Sequence, residues 1–269
     1  GFDPDTVLAK NPKIIYVGLH GYREDGPYGG QPAFDDVIQG QCGIAGAFEA
    51  RDGEASLVPT VMADKSVGLL ASTGLLAAYI KSLKTGKGSY LEVSMFEGMV
   101  GYTLLEHHFG ATFVPPLDQV GYPRALSSNR KPYKSADGYI CVLPYTNQHW
   151  VNFFKIIGRE DLLNDKRYSS IKERSKDIHI LYTIVANNII NKTNKEWSKL
   201  LQKHEIPYGV VNKLEDLKDD THLKAVNFFR PYKHPTEGDL EVPDSAFRLN
   251  RESLPIRRHQ PKLGEHSND

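Results

Sequence analysis

The strongest hydrophobic pattern along the chain is helical. Over residues 64–83, Val67, Leu70, Ala71, Gly74, Leu75, Ala78 and Tyr79 recur at the spacing of an apolar stripe. Gly68, Ala71, Ser72, Gly74, Ala77 and Ala78 keep much of that helix small, so neighbouring backbone can come close. Thr85-Gly86-Lys87-Gly88 ends it with glycine in the C-cap region. Two runs beside it read as strands. Residues 13–19 are β-branched and aromatic, and residues 89–95 alternate Tyr90, Glu92 and Ser94 against Leu91, Val93 and Met95. Residues 32–48 place Phe34, Val37, Ile38, Gln41 and Cys42 at helical spacing, with Pro32 suited to a first turn. Residues 96–113 predict a further helix, ending before Pro115-Pro116.

Residues 117–135 show no periodicity, and a long loop of this kind is usually functional or disordered. Beyond it the texture changes. A strand is predicted at 139–143 and helices at about 147–157, 175–191 and 194–203, all richer in Lys, Asn and Asp. Residues 208–211 and 240–249 read as strand-like pieces. The predicted fold class is α/β, with a boundary inside 115–135: a large domain over 1–125, a smaller α+β domain over 126–215, and a segment over 216–269 returning toward the first.

Composition narrows the class. Lys plus Arg and Asp plus Glu are both 33, and the chain is 40% hydrophobic and 25% charged. That is ordinary for a globular protein and gives no general pull toward nucleic acid or an anionic membrane. The longest mainly apolar run, residues 67–80, is interrupted by Ser72, Thr73 and Gly74 and falls short of the roughly 20 residues a membrane helix needs. The two cysteines, Cys42 and Cys141, form neither a disulfide framework nor a zinc motif, and are expected to be buried thiols in a reducing compartment. The opening residues lack a secretory pattern and read as the middle of a longer protein; the close at Leu263-Gly264-Glu265-His266 lacks a final element.

Candidate chemistry centres on Asp64. At a helix start it is expected to act as an N-cap, accepting free backbone N–H groups. A carboxylate there also interacts favourably with the helix dipole, and carboxylates form covalent acyl intermediates. The two roles are compatible. The loop 21–30 matches neither the GxGxxG nor the P-loop pattern, and His107-His108 has no third ligand spaced to join it. No metal site is expected.

Several motifs, in this order, resemble one family. They are Asn11-Pro12-Lys13-Ile14-Ile15-Tyr16, Gly26-Pro27-Tyr28, Ala33-Phe34-Asp35-Asp36-Val37-Ile38-Gln39-Gly40, Met62-Ala63-Asp64 and Thr85-Gly86-Lys87-Gly88. Ala136-Asp137-Gly138-Tyr139-Ile140, Ile206-Pro207-Tyr208-Gly209-Val210-Val211 and Leu263-Gly264-Glu265-His266 continue the series. Together they resemble the class III CoA-transferases, the group containing formyl-CoA transferase, carnitine CoA-transferase and α-methylacyl-CoA racemase. The resemblance spans nearly the whole chain, but family members begin with a Rossmann-like stretch that has no counterpart here.

The resemblance implies that Asp64 is the nucleophile of an acyl-CoA:carboxylate CoA-transferase working through an aspartyl anhydride and an aspartyl-CoA thioester. It implies coenzyme A thioester as substrate with no bound cofactor, a small carboxylic acid as acceptor, and an interlocked homodimer. It also implies a place in the cytoplasm, or the mitochondrion in a eukaryote. Racemase members use a histidine and a glutamate where this sequence has Phe34 and Lys134. Neither replaces that proton-transfer pair, so transferase is the expected activity and racemase the alternative. By the same resemblance Phe34 lines the acyl pocket, and the segment 127–134 covers the aspartate. Arg130, Lys131 or Lys134 there would meet a CoA phosphate or an acceptor carboxylate. Phe34 as mere core, and 127–134 as a solvated basic loop, are the plain alternatives. A third reading is a non-catalytic dimerisation fragment.

Overall fold

A computed structural model describes residues 1–267. The chain divides into two compact units, Gly1–Tyr208 and the residues from Gly209 onward. The first begins with helix α1 (Pro4–Lys10), strand β1 (Ile15–His20), helices α2 (Asp35–Gln41), α3 (Ile44–Asp52) and α4 (Met62–Thr85), strand β2 (Ser89–Ser94) and helix α5 (Met95–His107). Strands β3 (Tyr133–Lys134) and β4 (Tyr139–Val142) follow, then helices α6 (Asn147–Ile156), α7 (Ile171–Lys176), α8 (Ile178–Ile189) and α9 (Asn194–Lys203).

β1 and β2 pair in parallel from Ile15 opposite Ser89 to His20 opposite Ser94. Parallel pairing needs a long crossover, which α2, α3 and α4 supply. The return from α4 into β2 is tight. The Gly88 N–H donates to the Pro12 carbonyl at 2.7 Å, and a Cβ at Gly88 would stand 1.8 Å from the Ile14 carbonyl oxygen. Only glycine lets the two backbones approach this closely.

The single helix expected over 32–48 is two helices. Gly43 adopts φ +94°, in the left-handed region, and breaks the run between α2 and α3. The helix expected over 96–113 stops at His107 and gives way to a 3₁₀ turn over Phe109–Thr112. The one expected over 175–191 is divided into α7 and α8 at Asp177. By contrast, α9 occupies the span its capping box specifies: Thr193 Oγ1 accepts the Glu196 N–H, and Glu196 accepts the Thr193 N–H.

The first unit holds two apolar clusters. One gathers Tyr22, Ile38, Cys42, Ala63, Val67 and Met99 from α2, α4, α5 and the loop after β1. The other is larger, built around Ile140, Trp150, Phe153, Tyr182, Trp197 and Leu201. Trp197 stacks on Phe153 with ring centroids 6.5 Å apart and donates its Nε1–H to the Ile189 carbonyl at 2.7 Å. Of the apolar stripe on α4, only Val67 and Ala71 are buried, along with Ala63 before them, whereas Leu70, Leu75 and Tyr79 are exposed. The apolar run expected to be too short for a membrane lies in a 24-residue helix that is, by length and composition, long and apolar enough to cross one. This helix packs against β1, β2, α2 and α5. Of the two thiols expected to be buried, Cys42 is and Cys141 is exposed.

The second unit contains α10 (Thr221–Ala225) and an antiparallel hairpin of Phe229–His234 with Gly238–Pro243, followed by the short pair Arg248–Leu249 and Glu252–Ser253. The hairpin's first strand escaped the sequence reading because Arg230, Pro231 and Lys233 interrupt its alternation.

Candidate active site

Asp64 stands in the first turn of α4 but does not cap it. Val61 occupies the cap position and offers no side-chain acceptor. The reason is that another carboxylate has taken the capping role. Asp35, on α2, is 6% exposed, and its Oδ1 accepts the Asp64 N–H at 3.0 Å. Its Oδ2 accepts from Gln39 Nε2 at 2.5 Å, and that same amide donates to the Thr60 carbonyl at 3.2 Å. Gln39 Oε1 in turn accepts the Val58 N–H at 2.9 Å. One turn of α2 thus pins both the loop before α4 and the first turn of α4. A buried carboxylate is tolerated here because both of its oxygens are hydrogen-bonded.

Relieved of capping, the Asp64 side chain is exposed and, among the described residues, has no hydrogen-bond or ion-pair partner. It borders a cavity of about 350 Å³ together with Leu19, His20, Gly21, Ala33, Val67 and Val93. The walls are mostly apolar or small, and Gly68 opens the helix surface one turn beyond the carboxylate. A carboxylate free of partners at the rim of such a cavity can attack an electrophilic carbonyl.

The other residues singled out from the sequence are placed as follows. Phe34 caps α2, next to Asp35, and is 74% exposed, so it is not part of the core. Arg130 is exposed on the loop before β3, where its N–H donates to the Ser127 carbonyl at 2.9 Å. Lys134 is exposed on β3, opposite Tyr139. None of Phe34, Arg130 and Lys134 borders the Asp64 cavity. Arg130 and Lys131 line a different cavity, of about 270 Å³, with Tyr133 and Tyr182. Among the described residues no group of His, Cys, Asp and Glu is arranged to hold a metal ion.

Asp35 and Gln39 escaped the sequence reading as site residues. Their four-residue spacing on α2 was the available signal, but an acidic residue in a first turn ordinarily faces solvent.

Comparison with known proteins agrees with this architecture. The description CoA-transferase family III matches residues 1–267. The chain is 26% identical to cinnamoyl-CoA:phenyllactate CoA-transferase of Clostridium sporogenes, over 99% of this chain and 66% of that protein. It is 24% identical to succinyl-CoA:glutarate CoA-transferase of Homo sapiens, over 99% of this chain and 60% of that protein. The chain therefore spans somewhat less than two thirds of the length of these relatives. The crystal structure of Rv3272 from Mycobacterium tuberculosis superposes with a TM-score of 0.81 at 23% identity, over 99% of this chain and 71% of that one. The fold is the mixed α/β fold of that structure. The chain belongs to CoA-transferase family III.

Proposed function

We propose that this chain carries the nucleophile of an acyl-CoA:carboxylate CoA-transferase, and that the nucleophile is Asp64. The observation that supports this most is the unpartnered Asp64 carboxylate at a cavity rim, its backbone held by the buried Asp35. The named transferase activities of the similar proteins agree with it.

The reaction is a series of acyl exchanges. An Asp64 oxygen attacks the thioester carbonyl of the donor; the C–S bond breaks, leaving an aspartyl anhydride and CoA thiolate. The thiolate attacks the aspartyl carbonyl, expels the donor carboxylate and forms an aspartyl-CoA thioester. The acceptor carboxylate attacks that thioester carbonyl, giving a second anhydride and free thiolate. Attack of the thiolate on the acceptor's acyl carbon then yields the new thioester and restores Asp64. Every step exchanges one acyl bond for another, so the cycle needs no redox partner. An interlocked homodimer belongs to the same proposal; the exposed Leu69, Leu76 and Leu83 of α4 favour a covering partner.

The test is trapping. With acyl-CoA, the complete enzyme is expected to form an adduct on the peptide containing Asp64, read by mass spectrometry. Asp64→Ala is expected to abolish the adduct and lower kcat by about 10⁴-fold or more, the scale of losing a covalent nucleophile. Wild-type turnover in Asp64→Ala would refute the assignment.

A further inference from the structure

Helix α4 contains two glycines, Gly68 and Gly74, which differ in what a side chain would meet. A Cβ at Gly74 would stand 2.8 Å from Leu91 Cδ2, so that glycine lets β2 press against the helix. A Cβ at Gly68 would have nothing within 4 Å. Glycine inside a helix is less favourable than alanine, because its backbone loses more freedom on folding. Packing within this chain accounts for the glycine at 74 and not for the one at 68.

The position of Gly68 supplies another account. It lies four residues after Asp64, on the same face of α4, and both border the cavity of about 350 Å³. Side chains on a helix lean toward its N-terminus, so each covers the surface over the preceding turn. A side chain at 68 would therefore lean back toward the Asp64 carboxylate. The space beside it runs into apolar walls. Leu19 and Val93 pair across β1 and β2, and Val67 and Met95 join them around the cavity. At Gly21, also on the wall, an added Cβ would collide with that of Ala33, so of these two glycines only Gly68 has open space beside it.

We propose that Gly68 is a specificity-determining residue: its missing side chain leaves the space in which an apolar acyl chain longer than acetyl lies beside Asp64, against Val67, Val93 and Met95. The proposal rests on the transfer reading, which brings the acyl carbonyl to Asp64, and adds which acyl groups the cavity admits. An apolar chain placed there removes its own surface and that of the walls from water. A methyl or isobutyl group at 68 would compete with it for the same volume.

The test compares binding of hexanoyl-CoA and acetyl-CoA by titration calorimetry, in the complete enzyme carrying Asp64→Asn so that neither thioester is consumed. This parent is expected to prefer hexanoyl-CoA. Adding Gly68→Ala should lower the preference about tenfold, and Gly68→Leu should lower it further, the scale of discrimination by methylene groups in an apolar pocket. Thermal melts of the chain should show Gly68→Ala at least as stable as the wild type, since alanine suits the helix and has open space. A firmer helix with a narrower choice of acyl group is a combination that a purely structural glycine would not give. No preference for hexanoyl-CoA in the parent, or the same preference in both variants, overturns the proposal. So does an equal loss of affinity for both thioesters, or a lowered Tm in Gly68→Ala, which would mean that Gly68 packs against protein. Adduct trapping on Asp64 is read separately. An adduct with unchanged preference sinks the Gly68 assignment alone, and a changed preference without an adduct sinks the nucleophile alone.

Discussion

The Asp35 carboxylate holds the backbone of Asp64 through one hydrogen bond of 3.0 Å across 29 residues of chain. Two carboxylates thereby divide two tasks. Asp35 is buried and bonded at both oxygens, and it secures the start of α4. Asp64, spared that duty, keeps its carboxylate free at the cavity. An Asp64 that capped its own helix would have to break that bond before attacking a thioester.

Asp35→Asn tests this division. An amide NH₂ in place of one carboxylate oxygen faces either the Gln39 NH₂ or the Asp64 N–H, donor against donor. The expected loss of stability is about 1–3 kcal/mol, the cost of leaving buried polar groups unpaired. Urea unfolding of the chain measures it. In the complete enzyme kcat is expected to fall with KM little changed, because the nucleophile is misplaced rather than the substrate site removed. Unchanged stability and unchanged kcat would count against a positioning role.

Glu97 makes stability depend on pH. Burial raises its carboxyl pKa, but hydrogen bonds from the Ser94 side chain and from the Glu97 and Arg23 N–H groups, with the Arg23 charge, outweigh burial and hold it below its ordinary 4.5. A carboxylate with a depressed folded pKa contributes stability that is full above the unfolded value and lost as pH falls through the folded one. Unfolding free energy should therefore decline below about pH 4.5, and Glu97→Gln should flatten part of that decline. Identical pH profiles for the two proteins would remove Glu97 from the account.

Gly88→Ala is expected to destabilise strongly. Its Cβ would meet the Ile14 carbonyl oxygen at 1.8 Å, a backbone atom that no side-chain rotation can clear. A loss of about 3 kcal/mol or more in thermal or urea unfolding is expected, since β1 and β2 must separate to admit the methyl group. Gly46→Ala, at a helical position with nothing within 4 Å of the added carbon, serves as the control and should be neutral or slightly stabilising.

The complete enzyme is expected not to exchange the α-hydrogen of a 2-methylacyl-CoA with deuterated water. Inverting that centre requires a base on one face and a proton donor on the other. Phe34 has no proton to give, Lys134 does not border the Asp64 cavity, and His20, which does, has its ring nitrogens against Glu24 and Tyr90. Mass analysis after incubation measures the exchange, and rapid deuterium uptake would restore the racemase reading.

Local signals in the chain specified much of this architecture. The alternating run of β2, the β-branched run of β1, the capping box of α9 and the glycine closing α4 are contained in a few consecutive residues, and each formed where its local chemistry places it. The prominence of Asp64 was equally legible, because the position of a carboxylate in a helix's first turn is a local property. Its freedom was not. Whether Asp64 caps its own helix depends on Asp35 arriving from α2 to take that N–H, and hydrogen bonds between residues far apart in sequence leave no periodicity to read. The same holds for the uneven burial of α4, whose stripe marks an apolar face without saying what covers it.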